Sequence, residues 1–425
     1  MKTINCDVVV VGAGPGGSMA AKTCAKYGLD TVLVERKEYP SKPNSISCLV
    51  DRRIFEYVKI DKRTISSPIY KGAHFSPDGT EVSTPYHDGY DFAYVLNRKT
   101  FDNEVLKLAL KEGPEYMNKT RVTGLIREDG QLKGVKAKID EREDVEIRSN
   151  LVIGADGVES KVGRWAGIYK SLDANDLMIL LDSVVEVDMD EEEHHTWRWY
   201  YGYKDIPNLV FHSLPIGDGR KAFSTMPFIH SFIPKKGELI NGFNYFLKNN
   251  PLFSRSKLIE RGGGCMVIRP SKNFTTDGVM LVGEAAHQPC LPAMASALHA
   301  MDAGVLAGET AVEAHEEGDF SSDLLSRYEQ RWYRLHGEKD FLGYFLTRIL
   351  LLVSIEDFNM LFHLLGESDT ATFTDEVFER FAQSPKFASK LIHEFKREGL
   401  DIPDMLSLVS LLKKYHRNYW DLFVE

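Results

Sequence analysis

The chain has 425 residues, 43% apolar and 27% charged, which suits a folded protein of two domains and excludes wholesale disorder. Its formal charge is −10, from 52 basic against 62 acidic side chains, so the bulk balance argues against nucleic acid as a partner. Five cysteines (Cys6, Cys24, Cys48, Cys265, Cys290) stand far apart, without the spacing of a zinc site or a disulfide framework.

A β-branched run from Cys6 to Gly12 opens close behind Met1 and reads as a buried parallel strand. That leaves no room for a secretory leader, so the cytoplasm is the expected compartment, with the inner face of the membrane as the alternative. Ser18 to Tyr27 reads as a helix ending at Gly28, and Thr31 to Glu35 as a second buried strand. Together they make one βαβ unit. Asn97 to Glu112 is helical, with Phe101, Val105 and Leu106 on its apolar side. Thr120 to Val145 alternates as antiparallel strands, with a hairpin turn at Glu128 to Gly130. Leu151 to Ile153 is a short strand ahead of Gly154-Ala-Asp156-Gly157.

Residues 172 to 275 are rich in strands and aromatics, from Trp197 and Trp199 through Phe211 and Phe223 to Phe228, as expected of a separate sheet that walls a pocket. Gly278 to Gly283 reads as a buried strand and Ala295 to Ala314 as a long helix. The last ~90 residues read as mainly helical, with apolar clusters at 341–355 and 361–365. No stretch reaches the roughly 18 apolar residues of a membrane-spanning helix. The expected organisation is a nucleotide-binding domain over 1–170 plus 276–330, a β-rich substrate domain over 171–275, and a helical region over 331–425.

The glycine-rich turn carries the first functional signal. Gly12-Ala-Gly14-Pro15-Gly16-Gly17 matches GxGxxG between a buried strand and a helix. Gly12 permits the tight turn, Gly14 admits a diphosphate close to backbone, and Gly17 lets helix pack on strand. Glu35 closes the second strand 18 residues after Gly17, where an acid accepts from ribose hydroxyls; Arg36 follows it. This motif alone does not choose between FAD and NAD.

Three later elements resemble the p-hydroxybenzoate-hydroxylase-like flavoproteins and imply FAD. Arg98, in Arg98-Lys-Thr-Phe101-Asp102, is similar to the R-x-x-F-D element whose arginine contacts the flavin side of the cofactor. Gly154-Ala-Asp156-Gly157 resembles the G-A-D-G motif, although Asp156 also reads as a plain helix cap. Gly283-Glu284-Ala-Ala-His287 resembles G-D-A-A-H, with Glu284 in place of the aspartate that bonds the ribityl chain. The sequence holds no second glycine fingerprint for NAD(P)H. A nicotinamide would therefore bind transiently, or electrons would come from ferredoxin or a deazaflavin.

Within those flavoproteins the chain most resembles the geranylgeranyl reductases, over roughly residues 5 to 315. Pro43 to Cys48 resembles their P-x-x-C element, with four residues between rather than two. Asn208 to Pro215 resembles Y-x-W-x-F-P, with Val210 and His212 standing for the Tyr and Trp. Leu291 to Ser296 replaces a glycine-rich loop that opens a helix facing the flavin; Ala295 and Ser296 still supply donors there.

The resemblance implies an α/β fold with a Rossmann-like FAD domain on a central parallel sheet, an antiparallel sheet domain and C-terminal helices. It implies saturation of isoprenoid C=C bonds, hydride coming from flavin N5 and a proton completing the second carbon. The substrate would be an isoprenoid lipid or prenyl diphosphate, and peripheral membrane contact is expected. Cys48 is the candidate proton donor or positioning residue, against its reading as a small buried hydrophobe. His212 and Pro215 are candidate substrate contacts. His287 orients the flavin loop or relays a proton, against a structural histidine. A monooxygenase of the aromatic-hydroxylase type would share every cofactor motif, and so would a flavin-binding module that has lost catalysis.

Overall fold

The computed structural model describes residues 2–39, 47–59, 61, 63–83, 93–169, 176–227, 233–290, 296–337, 340, 343, 344, 347, 354–367, 389, 393 and 396. The chain divides into two compact units, each discontinuous: 1–65 with 96–177 and 265–341, and 66–95 with 178–264 and 342–425.

In chain order, β1 (Lys2–Asn5) and β2 (Val8–Val11) precede α1 (Pro15–Lys26), β3 (Thr31–Val34), β4 (Ser47–Asp51) and α2 (Ile54–Tyr57). Next come β5 (Ile65–Ile69), β6 (Lys71–Phe75), β7 (Glu81–Ser83), β8 (Ala93–Asn97) and α3 (Arg98–Leu110). Strands β9 (Glu115–Met117), β10 (Thr120–Glu128), β11 (Gln131–Ile139), β12 (Glu143–Arg148) and β13 (Leu151–Gly154) lead to α4 (Lys161–Ala166). Then follow β14 (Leu177–Glu186), β15 (Thr196–Tyr201), β16 (Leu209–Pro215), β17 (Arg220–Pro227), α5 (Glu238–Asn249) and β18 (Lys257–Val267). The described part closes with β19 (Thr275–Thr276), β20 (Val279–Leu281), α6 (Ser296–Glu317), α7 (Ser322–Trp332) and α8 (Ile355–Glu367).

The first unit is built on a six-stranded sheet in the order β19-β20-β13-β2-β3-β9. All its pairs are parallel except β19 with β20. Every side chain of β2, β3, β13 and β20 is buried, the expected state of a parallel sheet covered on both faces. Helices α1 and α6 pack so closely that a Cβ at Gly304 would meet the Gly16 carbonyl at 2.2 Å, and one at Gly308 the Thr23 Cβ at 2.5 Å. A second sheet, β1-β12-β11-β10, carries the expected hairpin, with Asp129 and Gly130 at φ of 51° and 81° in its two-residue turn.

The second unit holds a seven-stranded sheet, β18-β14-β17-β16-β15-β6-β7. Strands β14, β17, β16 and β15 pair antiparallel in turn, and β6 joins β15 in parallel. That parallel pairing explains why residues 66–95, which the sequence reading leaves in the nucleotide-binding part, belong to this unit. Helix α5 buries Leu239, Gly242, Phe243 and Phe246 at i, i+3, i+4, i+7 spacing against Phe211, Phe223 and Tyr200. Phe246 stacks on Phe211 at 4.2 Å between ring centres. Most of the apolar segment at 341–355, with Phe228, Pro43 and the loop 291–295, lies outside the described residues.

Candidate functional site

In the first unit, the site starts at the turn after β2. Gly12 adopts φ +104°, and a Cβ there would lie 2.4 Å from the Ala155 carbonyl oxygen. A Cβ at Gly17 would lie 1.9 Å from the Gly12 carbonyl, so the helix meets the turn without room for a side chain. A Cβ at Gly14, by contrast, would meet nothing within 4 Å. The one glycine left with free space is thus the one expected to admit a ligand.

Helix α1 starts there with Pro15 at its first position, no side-chain cap and no acid in its first turn, so its N-terminal N–H groups remain for an anion. Glu35 is buried at the end of β3. Its Oε2 accepts from Ala13 N–H at 3.0 Å and its Oε1 from Lys37 N–H at 2.9 Å. Each carboxylate oxygen keeps a further lone pair for a sugar hydroxyl. Arg36 is exposed and lies 3.8 Å from Glu159.

A second group gathers at the start of α3. Arg98 is buried, and its Nε donates to Asp102 Oδ1 at 2.6 Å. Burial opposes the guanidinium charge, but Asp102, Cys48 and Glu284 lie close enough to favour it, and the net effect raises its pKa. Three residues from distant parts of the sequence therefore share one electrostatic neighbourhood. Cys48 is buried on β4, its Sγ 3.7 Å from the Leu49 carbonyl. Glu284 sits in a single 3-10 turn after β20, which starts at Gly283 with φ +64°. Gly283 N–H donates to the Gln288 side chain at 2.7 Å, and Gln288 in turn donates to Tyr328. Ser296 opens α6, where its Oγ accepts from Cys290 N–H at 3.4 Å. Ala295 lies outside the described residues.

Asp156 shows the capping geometry: its Oδ2 accepts from Val162 N–H in the first turn of α4 at 3.1 Å. Its Oδ1 is buried without a partner, and burial raises its pKa. His287 stacks on Tyr169, ring centres 4.2 Å apart and planes 8° apart. Burial, with the charge of Arg269, lowers its pKa to about 4, so the ring is neutral near pH 7. Its ring contact is the stack on Tyr169, and the setting disfavours a charged imidazole.

The uncapped helix start, the open side of Gly14, the unspent Glu35 lone pairs and the orphaned Asp156 Oδ1 are acceptors and donors of the kind a dinucleotide with a polyhydroxyl chain requires. The residues present fit FAD.

In the second unit, pairing lines up Asp182, Ser224, His212, Trp199 and His74 across five strands. Trp197 and Tyr201 share that face by strand alternation. His212 lies 4.6 Å from Trp199 and 5.6 Å from Trp197 between ring centres. Burial, with His74 beside it, lowers its pKa to about 3. Its Nε2 and the indole nitrogens of Trp197 and Trp199 are buried without partners. Pro215, three residues along β16, falls on the opposite face, so the two candidate substrate contacts do not line one wall.

Sequence reasoning missed His74, because only the β6–β15 register brings it to Trp199. It also missed Glu193, which holds Arg198 and the fully buried Lys221, the latter at 2.7 Å. In the first unit it missed the buried chain in which Tyr57 donates to Asp302 and His336 Nε2 lies 2.7 Å from the same carboxylate.

The profile of the "FAD binding domain" family matches residues 5–229. The chain is 34% identical to the digeranylgeranylglycerophospholipid reductase of Methanothrix thermoacetophila, covering 87% of this chain and 93% of the relative. It is 35% identical to the same-named protein of Methanosarcina mazei, covering 98% and 95%. Among solved structures, a geranylgeranyl bacteriochlorophyll reductase-like protein from Thermoplasma acidophilum superposes with a TM-score of 0.80 at 26% identity, covering 93% of this chain and 99% of that one. A flavin-dependent brominase superposes with a TM-score of 0.68 at 17% identity, covering 89% and 100%, and shares the fold.

Proposed function

Because this chain belongs to the digeranylgeranylglycerophospholipid reductase family, built on an FAD binding domain, we propose that it is an FAD-dependent oxidoreductase saturating C=C bonds in geranylgeranyl chains of lipids. The observation that supports the reading is the open turn at Gly14, with Glu35 held beside it, in a chain 34% identical to a reductase of that name. Bound FAD supplies the hydride equivalent for the alkene once an external donor has reduced it.

The chain's own residues do the rest. Backbone N–H groups at the start of α1 would hold the diphosphate, Glu35 the ribose, and Glu284 the ribityl chain. Arg98 is locked by Asp102 and would keep a fixed positive charge on the flavin side. Cys48, buried on β4, would hold the proton at Sγ for the second alkene carbon. In the second unit, burial keeps His212 neutral within a face of aromatic rings.

The test is incubation of dithionite-reduced holoprotein with a digeranylgeranyl glycerophospholipid, followed by mass spectrometry. Expected are mass gains of one hydrogen pair per bond. Cys48→Ala should keep its flavin spectrum and lose about 100-fold or more in rate. An unchanged lipid beside fully reduced flavin would overturn the reading.

A further inference from the structure

The segment from Ile233 to Arg261 departs from the rest of the chain in charge. It carries six Lys and Arg against two Glu, a local charge of +4 in a molecule of −10. It is a helix, a turn and a strand: α5, residues 250–256, and the first half of β18, preceded by a short exposed loop. Arg261 closes it, donating to Asn244 Oδ1 at 3.0 Å and lying over the Phe243 ring.

Its inner side is core and its outer side is not. Phe243 and Phe246 point into the aromatic cluster, whereas Ile240, Asn244 and Lys248 make the exposed stripe at i, i+4, i+8. Ile233, Ile240, Leu258 and Ile259 are 40% to 48% exposed, four of the five large apolar side chains so exposed among the described residues of this unit. Ile240 is one turn from Asn244 and Ile259 two strand positions from Arg261, so both flank the contact that ties helix to strand. Lys235, Lys236, Lys248, Arg255 and Lys257 stand on the same loop, helix, turn and strand, all exposed and in no ion pair among the described residues.

Exposed aliphatics among uncommitted cations on one segment fit neither a solvated face nor a core. They fit a bilayer surface, where the aliphatics enter the headgroup boundary and the cations are drawn to anionic lipid. The acidic remainder of the molecule is repelled by the same surface, so the field also sets which side turns toward it. No described helix is long and apolar enough to cross a membrane.

We propose that the α5–β18 segment is the surface by which this protein docks on an anionic lipid bilayer. The proposal rests on the reductase reading, which gives the enzyme a water-insoluble substrate with two C20 chains to collect from a membrane.

The experiment is flotation of the holoprotein with vesicles of phosphatidylcholine, with and without about one third phosphatidylglycerol. The expected result is at least tenfold more protein on the anionic vesicles, most of it released by 0.5 M salt. Lys235→Glu with Lys236→Glu should lower that binding about tenfold, and Ile240→Ser with Ile259→Ser about fivefold. Both variants should reduce detergent-dispersed lipid at the wild-type rate and vesicle-embedded lipid more slowly. If wild type floats equally with both vesicles or with neither, the docking surface is wrong. It is also wrong if the variants float like wild type, or if the same residues govern self-association without lipid. Loss of the detergent-dispersed activity in wild type itself would instead strike the reductase reading.

Discussion

At the Gly12–Gly17 turn the groups left for a ligand are backbone N–H groups, whereas the sheet of the second unit lines up side chains from five strands. The first arrangement is fixed by what is missing. Glycines at 12 and 17 exist because a Cβ would strike a carbonyl, and no other residue type tolerates that approach. The second is fixed by what is present: rings of His74, Trp197, Trp199 and His212 held edge to face or tilted within 6 Å. A site made of backbone fails all at once, and a site made of side chains degrades by steps.

That contrast can be broken most sharply at Gly17. Gly17→Val places carbon within 1.9 Å of the Gly12 carbonyl, and flavin retention should drop at least 100-fold, read from absorbance near 450 nm with circular dichroism confirming the fold. In the other unit, Lys221→Met leaves Glu193 buried with Arg198 as its remaining partner. Stability should fall by about 3 kcal/mol in denaturant titration, at the low end for a broken buried pair.

Acid offers a third test. His74, His212 and His287 have folded pKa values lowered to about 4, 3 and 4, chiefly by burial, against about 6.5 unfolded. The unfolded chain therefore takes up protons first as pH falls below 6.5, and stability is lost until the folded pKa is reached. Between pH 7 and pH 5 each such histidine should cost about 2 kcal/mol, visible as a falling midpoint in denaturant. His212→Phe should remove one such share; a pH profile identical to wild type would show that His212 is not a buried neutral ring.

A milder change at the backbone site is Glu35→Gln, which keeps the size but turns one acceptor into a donor facing Ala13 or Lys37 N–H. FAD affinity should weaken about tenfold in an equilibrium titration. The smallest effect is expected from His212→Phe on catalysis at pH 7, a change in KM within about threefold. A larger loss in kcat would mean that His212 does chemistry rather than walling.

Legibility in the sequence follows the same division. The turn, Glu35 and the strands around them could be read because a βαβ unit is local: the approach of Gly17 to Gly12 and both hydrogen bonds to the Glu35 carboxylate fall within residues 8 to 37. Arg98 and Glu284 could be placed near the cofactor only through resemblance, since no local rule links them to Cys48. The His212 row was invisible because cross-strand register is not written in any one strand. Residues 66–95 fall in the second unit for the same reason, since β6 within them pairs with β15, far along the chain. Pro215 and His212 looked like one site in sequence, but strand alternation separates them. Lys221 gave no signal at all, since a lysine between two strand residues reads as solvent-facing until Glu193 is seen behind it.

The threading of the first unit sets an order of events during synthesis. Its sheet waits for β20, and α1 waits for α6, yet both are made only after all the strands of the second unit have left the ribosome. The glycine turn, though translated long before either, stays half-built until both have emerged, and its apolar strands must be kept from wrong partners in the meantime. A chain stopped at residue 264 would contain the whole fingerprint and still lack the strand and helix that close it.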